Sequence, residues 1–203
     1  MEKYIITIGR QFGSGGLEVG QKLAEKLSIP LYDKEILAEA SKDSGFTEKI
    51  LDAYDEKPVT SLLYSVAMGN LDTYVGAQKP LSMEAFLMQY HAIERLAEEK
   101  KSCIFVGRCA DYILEKHANV VNVFITADEE SRIRRICERE GINESQARNR
   151  MKKTDKNRAS YYSYYTEKRW GDAKNYHLCL DSSVLGIDGC VEMIMKFKEI
   201  KSR

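Results

Sequence analysis

Five short apolar segments, separated by stretches of helical periodicity, predict a three-layer α/β/α sandwich around a five-stranded parallel sheet. Two further observations support this class. The first 27 residues run from an apolar strand through a glycine-rich turn into a helix. Charged residues also recur just past the strand ends, where open α/β sheets gather ligand groups. A length of 203 residues suits one main domain, 1–203, with a helical insert over 34–90 and a basic arm over about 144–168.

Ile5, Ile6 and Ile8 form the first strand, and Val19, Leu23, Ala24 and Leu27 recur at helical spacing after the turn. Ile29 to Tyr32 is too short for a helix and reads as a second strand ending at Asp33. A helix follows with Ile36, Leu37 and Ala40 inward and Gly45 as its stop, then a second one capped by Thr47 and closed by Lys57-Pro58. Residues 59–81 mix apolar side chains with Gly69, Gly76 and Pro80. They read as a partly helical insert that closes over a ligand or makes a subunit contact, and the second use implies a homodimer. From Ser82, Met83, Leu87, Tyr90, Ile93 and Leu96 mark a helix.

Cys103 to Gly107 is a buried-type strand with Arg108 just past its end. Asp111 lies early in the next helix, either as a ligand group or as an acid suited to the helix dipole. Val120 to Ile125 is the fourth strand, leading to a helix that Gly141 ends. Asn143 caps a long segment whose pattern puts Asp155, Arg158 and Tyr162 on one face. As one helix, 144–168 would run about 37 Å, so a bend or a helix-loop-helix is expected, with Arg158 exposed on the arm. Tyr176 to Asp181 is the fifth strand, and Ile187 to about Ile200 is a final amphipathic helix.

Acidic and basic residues balance at 31 each, which argues against nucleic acid or an acidic membrane as partner. The local density of lysine and arginine from Arg132 to Arg169 suggests an anionic ligand instead. Five scattered cysteines without CxxC spacing read as reduced thiols, and three scattered histidines form no ligand pair, so no metal site is expected. No signal-peptide pattern or membrane-length apolar run occurs, and a cytoplasmic protein is expected.

The glycine-rich stretch Gly13, Ser14, Gly15 and Gly16 has little bulk and lies at a helix start, whose N–H groups and dipole attract phosphate. It matches a Walker A loop only in part. If Gly15 is its last glycine, Gly16 stands at the lysine position and Leu17 at the magnesium-binding hydroxyl position. A strand-turn-helix with glycines for tight packing is the simpler alternative.

The stretches ITIGRQFGSGG, PLYDKEIL, FVGRCADYIL, KKTDKNRASYYSYYT, WGDAKNYHLCLDSS and GIDGCVEMI together resemble the cytidylate-kinase-like family of P-loop proteins over nearly the whole chain. The resemblance implies a nucleoside-monophosphate-kinase-like fold, ATP and Mg2+ as cofactors, and a nucleoside monophosphate as partner substrate. Gly13, Ser14, Gly15 and Gly16 would hold the donor phosphates, with Arg10 replacing the lost lysine charge. Asp33 resembles the aspartate opening the monophosphate segment. Arg108 resembles the arginine of a DGR motif whose aspartate is here Val106. Asp155 and Arg158 match a DRNR arm motif, with Lys153 and Lys156 as nearby cations. Asp111 and Tyr162 complete the candidate substrate side. Magnesium would rest on Ser14, on an acid through water, or on the nucleotide. Two alternatives stay open: a kinase for another small acceptor, and a phosphate-binding module without turnover.

Overall fold

Alternate residues of the first strand bury on opposite faces, and this alternation organises the two cores. Ile5 packs with Phe105 on one face, while Ile6 and Ile8 pack with Ile104 and Val106 on the other. Both faces are apolar because both are covered by helices. The computed structural model describes residues 3–42, 47–57, 81–99 and 102–201. The strands are β1 (Ile5–Arg10), β2 (Leu31–Tyr32), β3 (Cys103–Val106), β4 (Val120–Thr126) and β5 (Leu178–Asp181). They form one sheet in the order β2-β3-β1-β4-β5, with every pairing parallel.

The helices among the described residues are α1 (Gly16–Leu27), α2 (Glu35–Lys42), α3 (Glu48–Tyr54), α4 (Leu81–Glu99), α5 (Ala110–Ile113), α6 (Glu129–Glu140), α7 (Glu144–Thr166) and α8 (Ser182–Lys201). Val19 and Leu23 of α1, with Val191 and Ile194 of α8, cover one face of the sheet. Ile36 and Leu37 of α2, Leu51 of α3 and Ile93 and Leu96 of α4 cover the other. β1 is central, so its C-terminal end opens onto the loop that starts α1. The ends of β2 and β3 lie to one side, and those of β4 and β5 to the other.

The expected bend in the arm is not found. α7 is a single helix, begun by a capping box in which Asn143 accepts from the Gln146 N–H and the Gln146 side chain accepts from the Asn143 N–H. It ends at Glu167 in the left-handed region, φ 58. Tyr161 packs against Phe86 of α4, and the Tyr165 hydroxyl donates to the Ser82 carbonyl at 2.8 Å. The far half of the helix is thereby fixed to the body. The expected insert over 59–81 lies, apart from Leu81 at the start of α4, outside the described residues, and so does Gly45. No helix among the described residues is long and apolar enough to cross a membrane.

Leu23 is fully buried between α1 and the sheet. Leu23→Ala should cost about 2–5 kcal/mol in chemical denaturation. A loss below about 1 kcal/mol would mean that this face of the sheet is not tightly packed.

Candidate active site

The chain leaves β1 through Gln11 and Phe12 into a turn in which Gly13 (φ 79) and Gly15 (φ 78) take left-handed backbone. Gly15 begins α1 without a side-chain cap, so the first N–H groups of the helix have no side-chain acceptor there. A Cβ on Gly16 would collide with the Cβ of Arg10. Arg10 therefore occupies the space in which a lysine at position 16 would start.

Phe12 is clamped from both sides. Its N–H donates to Asp155 Oδ1 at 2.8 Å, and its carbonyl accepts from Arg132 Nε at 2.8 Å. Arg132 and Asp155 close this clamp with an ion pair. The Phe12 ring lies under Arg139 at 4.9 Å and under Arg158 at 5.8 Å, both within cation–π range. Arg135 reaches the Gly13 carbonyl at 3.4 Å and the Ser182 hydroxyl at 3.2 Å. The helices α6 and α7 are thus tied to the glycine-rich turn.

Three arginines and three carboxylates meet beside it. Arg108 is 2 % exposed and forms a two-bond fork with Asp55, Nε to Oδ1 at 2.9 Å and Nη2 to Oδ2 at 2.8 Å. Its Nη1 donates to Asp33 Oδ1 at 2.8 Å. Glu56 accepts from Arg10 Nη1 and the Arg108 N–H on one oxygen and from Arg158 Nε on the other. Burial raises the Glu56 carboxyl, but Arg10, Arg158 and Arg108 outweigh it and hold the group well below the usual carboxylate range. Burial would likewise lower Arg108, yet Asp55, Glu56 and Asp33 hold it above its ordinary value. Burial and Arg10 lower Arg158, which Glu56 opposes.

A cleft of about 850 Å³ opens over the turn, bordered by Arg10, Gly13, Gly15, Gly16, Asp33 and Arg158. Lys34, Arg135 and Arg139 add positive charge to its walls, while Glu18, Glu138 and Glu140 add negative charge. Behind Arg158 lies a cavity of about 20 Å³ bordered by Arg108, Asp111, Tyr162, Trp170 and Tyr176. That space suits a single water. There the Tyr162 hydroxyl donates to Asp111 Oδ2 at 2.6 Å, and burial pushes both groups up from their ordinary values.

The sequence-derived candidates therefore separate. Arg10, Gly13, Gly15, Gly16, Asp33 and Arg158 come together at the cleft. Ser14 is fully buried and its hydroxyl donates to the Gln11 carbonyl at 2.9 Å. Asp155 faces the loop backbone, and Arg108 faces carboxylates. Lys153 and Lys156 are exposed on α7 and do not border the cleft. Arg158 is not the exposed arm residue expected, since its side chain is 14 % exposed and bound to Glu56. Among the described residues no group of three His, Cys, Asp or Glu could hold a metal ion.

Asp55, Glu56, Arg132, Arg135 and Arg139 belong to this site and are not singled out by the sequence reading. The arginines carried a signal, because positions 132, 135 and 139 share one face of a helix. Asp55 and Glu56 carried none, standing just past the end of the short helix α3.

The parallel sheet, its strand order and the glycine-rich turn under a cationic cleft define a P-loop kinase-like protein. Residues 5–184 match the sequence model of the Cytidylate kinase-like family, and the chain belongs to that family. A protein of uncharacterised function from Eubacterium ventriosum ATCC 27560 is 35% identical, with 97% of this chain and 99% of that one covered and a TM-score of 0.75. Shikimate kinase from Bacteroides thetaiotaomicron shares the fold at 14% identity, TM-score 0.54, covering 97% and 98%. A gluconokinase from Sinorhizobium meliloti 1021 does so at 13% identity, TM-score 0.52, covering 97% and 94%. No curated protein matches the sequence.

Glu56 gives a pH test. A carboxyl with a depressed folded-state pKa contributes stability that is complete above its ordinary value, 4.5, and is lost as pH falls below it. Urea denaturation from pH 7 to pH 3 should show wild type losing stability below that value more steeply than Glu56→Gln. Parallel curves would mean that Glu56 is not ionised in the cluster.

Proposed function

We propose that this chain transfers the γ-phosphoryl group of ATP to a nucleoside monophosphate, a cytidine nucleotide being the first acceptor to test. The observation that carries the reading is the arginine-lined cleft over the glycine-rich turn, with Arg10 filling the root of the missing lysine position. Phosphoryl transfer asks a protein mainly to align two anions and offset the charge on the transferring group. An acceptor phosphate oxygen forms the new bond to the γ-phosphorus, the bond to the β–γ bridging oxygen breaks, and ADP leaves with that electron pair. The first-turn N–H groups of α1 would hold the donor phosphates. Arg10, Arg135, Arg139 and Arg158 supply positive charge around them, and no general base is required.

The residues present do not offer a side-chain magnesium site of the usual loop type. Leu17 stands at the hydroxyl position and the Ser14 hydroxyl is engaged inside the loop. A divalent cation would then arrive as part of the nucleotide complex, held by its phosphates.

A second reading is a kinase for a hydroxylated small acid. It is favoured by the fold likeness to shikimate kinase and gluconokinase. A coupled assay of ADP release with each nucleoside monophosphate, and with shikimate and gluconate, separates the two. Silence with every acceptor, alongside ATP binding by calorimetry, would sink both and leave a phosphate-binding module.

Two substitutions probe the site. Arg158→Ala should abolish most turnover and also cost about 3 kcal/mol of stability, because it removes one partner of a buried pair. Unchanged melting would place Arg158 outside the cluster. Gly16→Lys should weaken ATP binding by calorimetry rather than restore a working loop, since Arg10 blocks the new side chain. Improved affinity would show that Arg10 yields readily.

A further inference from the structure

The donors around Glu56 are those that a phosphate takes, and the inference drawn from them rests on reading the cleft as a phosphate site. We propose that Glu56 is an internal stand-in for a substrate phosphate: its carboxylate fills an anion subsite made by Arg10, Arg158 and the Arg108 N–H, and an incoming phosphoryl group binds by displacing it.

Two guanidinium groups and a backbone N–H converge on this one carboxylate. Oε1 accepts from Arg10 and from the Arg108 N–H at 3.1 Å, and Oε2 accepts from Arg158 at 2.9 Å. The remaining bonds show which arginines depend on it. Without Glu56, Arg108 keeps its fork to Asp55 and its bond to Asp33. Among the described residues Arg10 keeps Asp33, at 3.7 Å. Among the described residues Arg158 keeps the Arg10 carbonyl, at 3.2 Å, the face of Phe12 and the charge of Asp155, which is itself paired with Arg132. Withdrawal of Glu56 leaves Arg10, Arg108 and Arg158 against Asp33 and Asp55, one positive charge in excess.

Position supports the same conclusion. Arg10 and Arg158 border the large cleft beside Gly15 and Gly16, whereas Glu56 borders the small cavity behind them. A phosphate entering through the cleft meets the same two guanidinium groups from the opposite side. Glu56 also sits in left-handed backbone, φ 47, which non-glycine residues seldom adopt. The arginines hold it in a conformation that it has reason to leave.

The consequence is selectivity by charge. A ligand must outcompete a resident carboxylate, so a dianionic phosphate monoester binds where a monocarboxylate does not. The apparent affinity is reduced by the fraction of molecules in which the subsite is vacant.

Calorimetric titration with inorganic phosphate and with pyrophosphate, in the absence of ATP and acceptor, tests this. Glu56→Gln should bind at least about tenfold more tightly than wild type. Glu18→Gln removes one negative charge from the wall of the large cleft without touching the cluster, and should gain no more than about threefold. Arg158→Ala added to Glu56→Gln should abolish the gain. No gain in a folded Glu56→Gln, or an equal gain in Glu18→Gln, overturns the proposal. In case Glu56→Gln does not fold, hydrogen exchange of the wild type provides a second test: phosphate should speed exchange of amides 48–57, and unchanged or slower exchange overturns the proposal. These readouts need no turnover, so an inactive protein that shows the gain loses the kinase reading alone, and an active one without it loses this inference alone.

Discussion

Desolvated guanidinium groups must be matched by anions, and that constraint shapes the functional end of this molecule. Burying a charge costs several kcal/mol unless it is paired and hydrogen-bonded. Arg10, Arg108 and Arg158 stand close together near the ends of β1 and β3, and Asp33, Asp55 and Glu56 are brought to them from two segments, the end of β2 and the residues after α3. The β2 end, the residues after α3 and the middle of α7 are thus held to one point. The site is therefore also a structural node, and changes to it affect folding as well as ligand binding.

The second organising contact is the clamp on Phe12. Because Asp155 takes the Phe12 N–H and Arg132 takes its carbonyl, the glycine-rich turn has the rigidity of two helices behind it. Asp155 thus positions the glycine-rich turn, and α7 and the turn form one packed unit rather than a hinged arm over a fixed floor.

Much of this was legible in the sequence, for identifiable reasons. The five strands were visible because each is a short apolar run with no polar face. The caps at Thr47, Asn143 and Gly141 were visible because capping chemistry is local. Asp33 was singled out as a strand-end residue and Arg158 from its place on a helix face, with the resemblance of their surroundings to known motifs added to both, and the two border the cleft. Long-range pairing was not visible: nothing near Glu56 indicates that residues 46 and 102 positions away would take its carboxylate. The continuity of α7 was misjudged because length alone argued for a break, while the tyrosines that fix it to α4 act through tertiary contact. Arg158 looked exposed because a charged helix position defaults to solvent, and only the buried acid opposite it changes that.

The contact between Gly16 and the Arg10 side chain has an evolutionary consequence. A lysine cannot enter position 16 while Arg10 holds its place, and an Arg10 removed first leaves Glu56 without one of its partners. The two positions are therefore epistatic, and each single step between the two arrangements passes through a damaged intermediate. A lineage that moved its loop charge onto the strand end would be held there by sterics on one side and by a buried carboxylate short of one charge partner on the other.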